Sequence, residues 1–275
     1  MVGIKGLNTL LLPPSFNLSL TVGPSIFAPQ ENIMRKLLVL LIAFVATSPA
    51  FSQELPPKTK KKFDLSNRSG DHFMVQLGVN GMQGAPDSIK DNLKGLQRSA
   101  NVYLMFDKPF RGNPRLSVAI GAGVGTNNYY FKKMIVDIAS TGPVLPFRNV
   151  DSAENFKKFK IHTTFLEVPL ELRFTGDPEN PGKTMKAAIG VKVGTLLNAH
   201  SKGKILRDAT DRVINNYTVK ETTKTFFNST RLTGTARVGY GHFSLFGAYS
   251  FTGIFKDGVA PDVKTLQIGL TISGL

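Results

Sequence analysis

The chain has 275 residues, 34 Lys and Arg against 19 Asp and Glu, a formal net charge of +15 and no cysteine. Lack of thiols excludes disulfides and thiolate metal sites, so stability has to come from hydrogen-bonded elements and their packing. A mean hydropathy of −0.04 suits a soluble domain, but equally suits strands with one apolar and one polar face, where the two cancel.

In chain order, the one continuous apolar run is Leu37 to Val45, preceded by Arg35-Lys36 and followed by Ser48-Pro49-Ala50-Phe51-Ser52-Gln53. That run is too short to span a bilayer as a helix, and its flanks are those of a secretory signal peptide over 34–52, cleaved after Ser52. Met34 is then expected to be the initiator, and 1–33 an upstream extension from a start assigned too early; a functional extension is the alternative. Residues 53–70 carry Pro56-Pro57 and Lys58-Thr59-Lys60-Lys61-Lys62 without an apolar period, which reads as a periplasmic linker.

From 71 to 275 the pattern changes to strict alternation. Leu266, Ile268, Leu270 and Ile272 alternate with Gln267, Gly269 and Thr271, and a period of two means a strand with one greasy face. Strands are predicted at 72–80, 98–108, 115–131, 161–174, 185–199, 226–240, 243–255 and 264–273. The connections 81–97, 132–160 and 200–225 are long, while 109–114, 175–184 and 241–242 are short. Such alternation, after an export signal, predicts an all-β fold: an eight-stranded antiparallel up-and-down transmembrane β-barrel over 71–275, apolar face toward lipid. A soluble periplasmic lipocalin-like binder would alternate with the opposite sense. Against it, the polar face mixes Gly, Ala, Ser and Thr with a few opposite charges, as a narrow polar lumen requires. Tyr129, Tyr130, Phe131, Phe174, Phe226, Phe227, Tyr240, Phe243, Phe251 and Phe255 near strand ends suggest two interfacial girdles. On this assignment Leu170→Arg is expected to cost much more than Gln267→Arg.

The later strands place longer polar side chains on the lumenal face: Glu167, Glu171, Arg173, Lys192, Arg231 and Arg237. Isolated charges in a narrow lumen cost on the order of several kcal/mol each, so these six are expected to pair as a structural network. Pro169 cannot donate to a ladder, and a bulge is expected there. Gly121-Ala122-Gly123-Val124-Gly125 superficially matches a nucleotide loop, but no helix follows, and small residues in a crowded interior explain it better. His72, His162, His200 and His242 lack zinc-site spacing, so no metal or cofactor is expected. A lipid-modifying enzyme would need His162 or His200 beside a serine or carboxylate. The basic charge is scattered, which argues for contact with outer-membrane lipid and not with nucleic acid.

Leu166-Glu167-Val168-Pro169-Leu170-Glu171-Leu172-Arg173 resembles the Leu-Glu-(Ile/Val)-Pro-Leu strand of PorT-like outer-membrane β-barrel proteins of Bacteroidetes. The Gly-rich stretch from Ala188 to Leu197 and the terminal Gly269-Leu270-Thr271-Ile272 are similar to the matching strands of that family. The resemblance implies a non-enzymatic envelope protein with an anchoring or secretion-associated role, and other envelope or secretion proteins as partners.

Overall fold

The computed structural model describes residues 72–150 and 154–274. The upstream segment 1–33, the signal peptide at 34–52 and the linker at 53–70 lie outside the described residues. The strands are β1 (Phe73–Gln83), β2 (Gln97–Phe110), β3 (Asn113–Phe131), β4 (Met134–Val136), β5 (Phe147–Asn149), β6 (Asn155–Thr175), β7 (Met185–Arg207), β8 (Val213–Thr222), β9 (Thr230–Tyr240), β10 (Phe243–Ser250) and β11 (Lys264–Ser273). One short helix, α1 (Asp87–Lys90), interrupts the β1–β2 connection.

Eight of these strands close on themselves. Antiparallel pairing runs β1–β2–β3–β6–β7–β9–β10–β11, and β11 returns to β1 from Met74↔Ser273 to Gln83↔Lys264. Closure removes every free edge in the wall. Two strands run well past the expected bounds, β6 beginning at Asn155 and β7 continuing to Arg207, whereas β9 begins at Thr230 and β10 ends at Ser250, short of the expected 226 and 255. Beyond the wall, β8 replaces β9 beside β7, pairing Lys202↔Lys220 and His200↔Thr222. Together β3, β6, β7 and β8 make a sheet that projects past the barrel as a fin. The predicted loop 200–225 is therefore largely strand. The long connections all lie at the fin end, and the tight turns at 111–112 and 241–242 lie at the other.

The two faces separate as the alternation demands. Leu77, Leu104, Ile120, Leu172, Ile189, Val238, Leu245 and Leu270 are exposed on the outer wall, whereas Gln76, Asn101, Ser117, Glu171, Gln267 and Thr271 are buried inside. On β6 this apolar belt runs from Phe174 up to Leu166, with Val124 and Leu197 at its upper rim on β3 and β7. Lipocalin-like polarity, with leucine and valine inward, is the reverse of what is found.

Three expectations need correction. Pro169 sits in regular register opposite Lys192, and the single β6–β7 shift falls between Thr164 and Phe165, where Leu197 is the extra residue. On the β3 side the ladder passes from Ile120↔Leu170 to Gly123↔Glu167 without changing register, so the missing N–H is accommodated by skipped pairing and not by a bulge. The girdle is half right: Phe174, Tyr240, Phe243 and Phe251 face outward, but Tyr129, Phe131, Phe226, Phe227 and Phe255 are buried. Those five belong to an apolar cluster at the fin end of the interior, where Phe165, Ile161 and Leu196 from the wall pack with Ile89, Val136 and Val263 from the connections. Finally, Gln267 shares a tight space with Lys192 and Arg231, so a new arginine there meets two cations and is not a mild change.

Leu170→Arg, which turns a charge onto the middle of the belt, is expected to lower barrel stability by about 2–4 kcal/mol. Asn216→Arg, on the exposed β8, is expected to change it little. Denaturant titrations of refolded protein in lipid vesicles check the pair, and equal losses would contradict the outward assignment.

Candidate functional site

The six lumenal charges predicted from sequence converge in two linked groups. Glu167, from β6, accepts from Arg231 Nη2 of β9 at 2.5 Å and lies 3.7 Å from Lys192 Nζ of β7. Its second oxygen accepts from the Tyr103 hydroxyl of β2, which in turn accepts from Lys192 Nζ at 3.1 Å. Four residues further along β6, Glu171 accepts from Arg173 Nε at 2.9 Å and from Arg237 Nη2 at 3.1 Å. Arg173 also faces Asp107 of β2, 3.9 Å away. All are at least nine-tenths buried. Alternation explains the placement: odd-numbered residues of β6 point inward, so Glu167, Glu171 and Arg173 share a face with a spacing of four and two.

Tyr103 and Asp107, on the inward phase of β2, complete the network. Their role depends on which strand lies across the bore, which no local pattern encodes. Space for them comes from β3. A Cβ on Gly123 would fall 2.5 Å from Tyr103 Cδ1, and one on Gly125 would fall 2.6 Å from a Glu167 carboxylate oxygen. The glycine run thus clears the bore for large side chains and has no bearing on nucleotide binding.

Neutral polar groups fill the bore beside and above the charges. Gln76 donates to Thr271 Oγ1 at 3.1 Å, Asn101 donates to Gln76 Oε1 at 3.3 Å, and the Tyr129 and Thr265 hydroxyls are 2.6 Å apart. Arg231 meets the apolar cluster directly, its guanidinium carbon 4.0 Å from the centre of the Phe165 ring. The space beside Lys192, Arg231 and Gln267 has no room for a water molecule. A second gap, among Tyr129, Phe165 and Ile254, offers about 10 Å³, marginal even for one water.

The histidines do not converge on the bore. His72 and His242 donate from Nδ1 to the backbone oxygens of Met105 and Ser273, each at 3.1 Å. His162 and His200 are cross-strand neighbours on the fin, outside the belt, with ring centres 4.6 Å apart. His162 donates to Asn128 Oδ1 at 3.0 Å and its other nitrogen lies 2.9 Å from Thr164 Oγ1; His200 donates to Asn198 Oδ1 at 2.9 Å. Among the described residues no cluster of three metal-ligating side chains occurs. Burial first, then His200 and Lys160, hold His162 down to about 4; burial, then Lys220, Lys160 and Lys202, hold His200 at about 4.

The family comparison agrees with this architecture. Residues 51–256 match the family described as outer membrane protein beta-barrel domain. Among solved structures, Ail, the attachment invasion locus protein of Yersinia pestis, is similar in its complex with the heparin analogue sucrose octasulfate: 11% identity, 73% of this chain and 94% of that chain covered, TM-score 0.34. A second Ail structure has the same identity and coverage and a TM-score of 0.28. No curated protein matches the chain.

Glu167→Gln strands Lys192 and Arg231 in a dry bore, and a loss of about 3–5 kcal/mol of unfolding free energy is expected. Tyr103→Phe removes one hydrogen bond to the same carboxylate, for about 1–3 kcal/mol. Reversed magnitudes in denaturant unfolding would refute Glu167 as the hub. Both fin histidines lie below the ordinary value of 6.5, so the unfolded chain binds more protons between pH 6.5 and 4. Their contribution to stability is complete above that window and is lost as the pH falls through it. Wild type is expected to lose more stability from pH 7 to 4 than the His162→Asn/His200→Asn double variant; parallel curves would contradict the assignment.

Proposed function

This chain belongs to the outer membrane protein beta-barrel domain family, and from that premise we propose that it is a non-enzymatic anchor of PorT-like type that presents a folded outer platform to other envelope or secretion proteins. It resides in the outer membrane. The observation that carries the reading is the filled bore: among the described residues, paired charges, hydrogen-bonded amides and an apolar cap fill it, and the space beside Lys192 and Arg231 has no room for water. With passage blocked, the parts free to act are those outside the wall. These are the β7–β8 hairpin, the β4–β5 hairpin, and α1. The outer connections are not loose. Leu145 N–H donates to Val259 O at 2.8 Å, and Phe147 and Phe255 pack edge to face with centres 5.9 Å apart, tying two connections distant in sequence into one surface.

The PorT-like assignment is supported by the Leu166–Arg173 strand, which carries Glu167 and Glu171 into the bore. A catalytic role is disfavoured because, among the described residues, the hydrogen-bond partners of the His162 and His200 rings are Asn128, Thr164 and Asn198 and not a serine or carboxylate.

Wild-type protein in planar bilayers is expected to give no single-channel steps. Replacing residues 204–219, the outer part of the β7–β8 hairpin, by a short Gly-Ser turn is expected to leave the barrel heat-modifiable on gels while releasing it from any larger complex in mild detergent. Stepwise conductance, or an unchanged complex, would count against the anchor.

A further inference from the structure

Just above the belt, the ladder turns a dense set of cations outward. Across β3, β6, β7 and β8 the register sets Tyr130, Lys160, Lys202 and Lys220 in one row and Lys158 opposite Lys204 in the next. The row beneath holds Arg98, Asn128, His162 and His200. Lysines placed directly opposite one another destabilise a sheet. Lys160 records the strain: burial, and then the ammonium groups of Lys202 and Lys204, lower its pKa below the usual lysine range.

Of these, Arg98, Tyr130, Lys158, Lys160, Lys202 and Lys204 line an open groove of about 490 Å³, together with Lys94, Leu96 and Phe159, and no carboxylate contributes to it. Among the described residues, two of the ammonium groups reach neutral oxygens: Lys94 donates to Lys157 O at 2.8 Å and Lys160 to Asn128 Oδ1 at 2.6 Å. The charge inside the groove is therefore uncompensated by its own walls.

Position selects the anion. Lys158 and Lys160 are even steps along β6 from Leu166 and Leu172, so the groove opens on the same side as the lipid-facing wall. Directly below lie the exposed rim residues Val124, Leu166 and Leu197, and Leu96, 69% exposed, stands at the groove itself. A soluble polyanion has no use for an apolar wall under its charges, whereas a lipid has its phosphates above and its chains below. We propose that this groove binds the phosphorylated headgroup of an outer-leaflet lipid, with phosphate oxygens held among Arg98, Lys160, Lys202 and Lys204 and acyl chains lying on the belt.

The experiment uses the full barrel in a phosphate-free detergent, with diphosphoryl lipid A and its phosphate-free counterpart as probes, and a soluble sulfated oligosaccharide as the third arm. Binding is read by native mass spectrometry. Neutralising three surface cations in Lys160→Gln/Lys202→Gln/Lys204→Gln is expected to weaken diphosphoryl lipid A binding on the order of 100-fold. The matched triple Lys90→Gln/Lys224→Gln/Lys256→Gln, exposed and outside the groove, is expected to bind as wild type. Heat-modifiability on gels reports that each variant remains a barrel. Equal binding by the groove variant, equal binding of the phosphate-free lipid, or capture of the sulfated oligosaccharide in preference to the lipid would each overturn the proposal.

Discussion

The ladder has to close. A wall that faces hydrocarbon has no water to satisfy its backbone, so each N–H and carbonyl must find a partner on the next strand. Eight strands meet that demand with a ring whose last member, β11, pairs with β1 over nearly its whole length. The same closure makes the bore only as wide as its own side chains. Glycines at 123 and 125 follow from that narrowness, since Tyr103 and Glu167 occupy the volume their Cβ atoms would need. The fate of Pro169 follows too: a bulge would shift register around the ring, whereas skipped pairing on one side leaves the register intact.

Narrowness also decides the chemistry of the interior. Charges drawn into a space with scarcely room for water survive only in pairs, and Glu167 and Glu171 each take two cations. Towards the outside, Phe131, Phe226 and Phe227 replace the charges and amides. The gradient means that the outer connections are anchored by burial in the barrel mouth, much as a domain core anchors its own loops. Outward-facing chemistry runs the opposite way, from leucine and valine on the belt to histidine and then lysine on the fin. Two opposed gradients on the two faces of the same strands give the molecule a closed interior and a reactive shoulder.

Much of this was legible in the chain. The two-residue period located all eight wall strands, and Thr265 to Ile272 needed no revision. The six lumenal charges were recognisable because they share the inner phase of their strands, and the physics of buried charge required partners. Other features were invisible for identifiable reasons. Tyr103 lies on the inward phase of its strand, but its bond to Glu167 joins residues 64 apart in sequence. Phe226, Phe227 and Phe255 lie in or beside connections, where no period tells inward from outward. β8 was read as loop because it belongs to the fin, with Tyr217 and Ile214 both exposed, so no burial pattern marks it.

By itself, then, the sequence determined the wall: alternation carries its own face assignment, and a one-residue slip would turn every leucine inward. Tertiary structure alone decided who meets whom across and along that wall. Lysines 158, 160, 202, 204 and 220 are scattered over three separate segments and read as solvated charge. They become one cationic surface only because the β6–β7 and β7–β8 registers bring them side by side. Register between distant strands is set by closure of the whole ring and by the extra residue at Leu197, and neither is a property of any local stretch of chain.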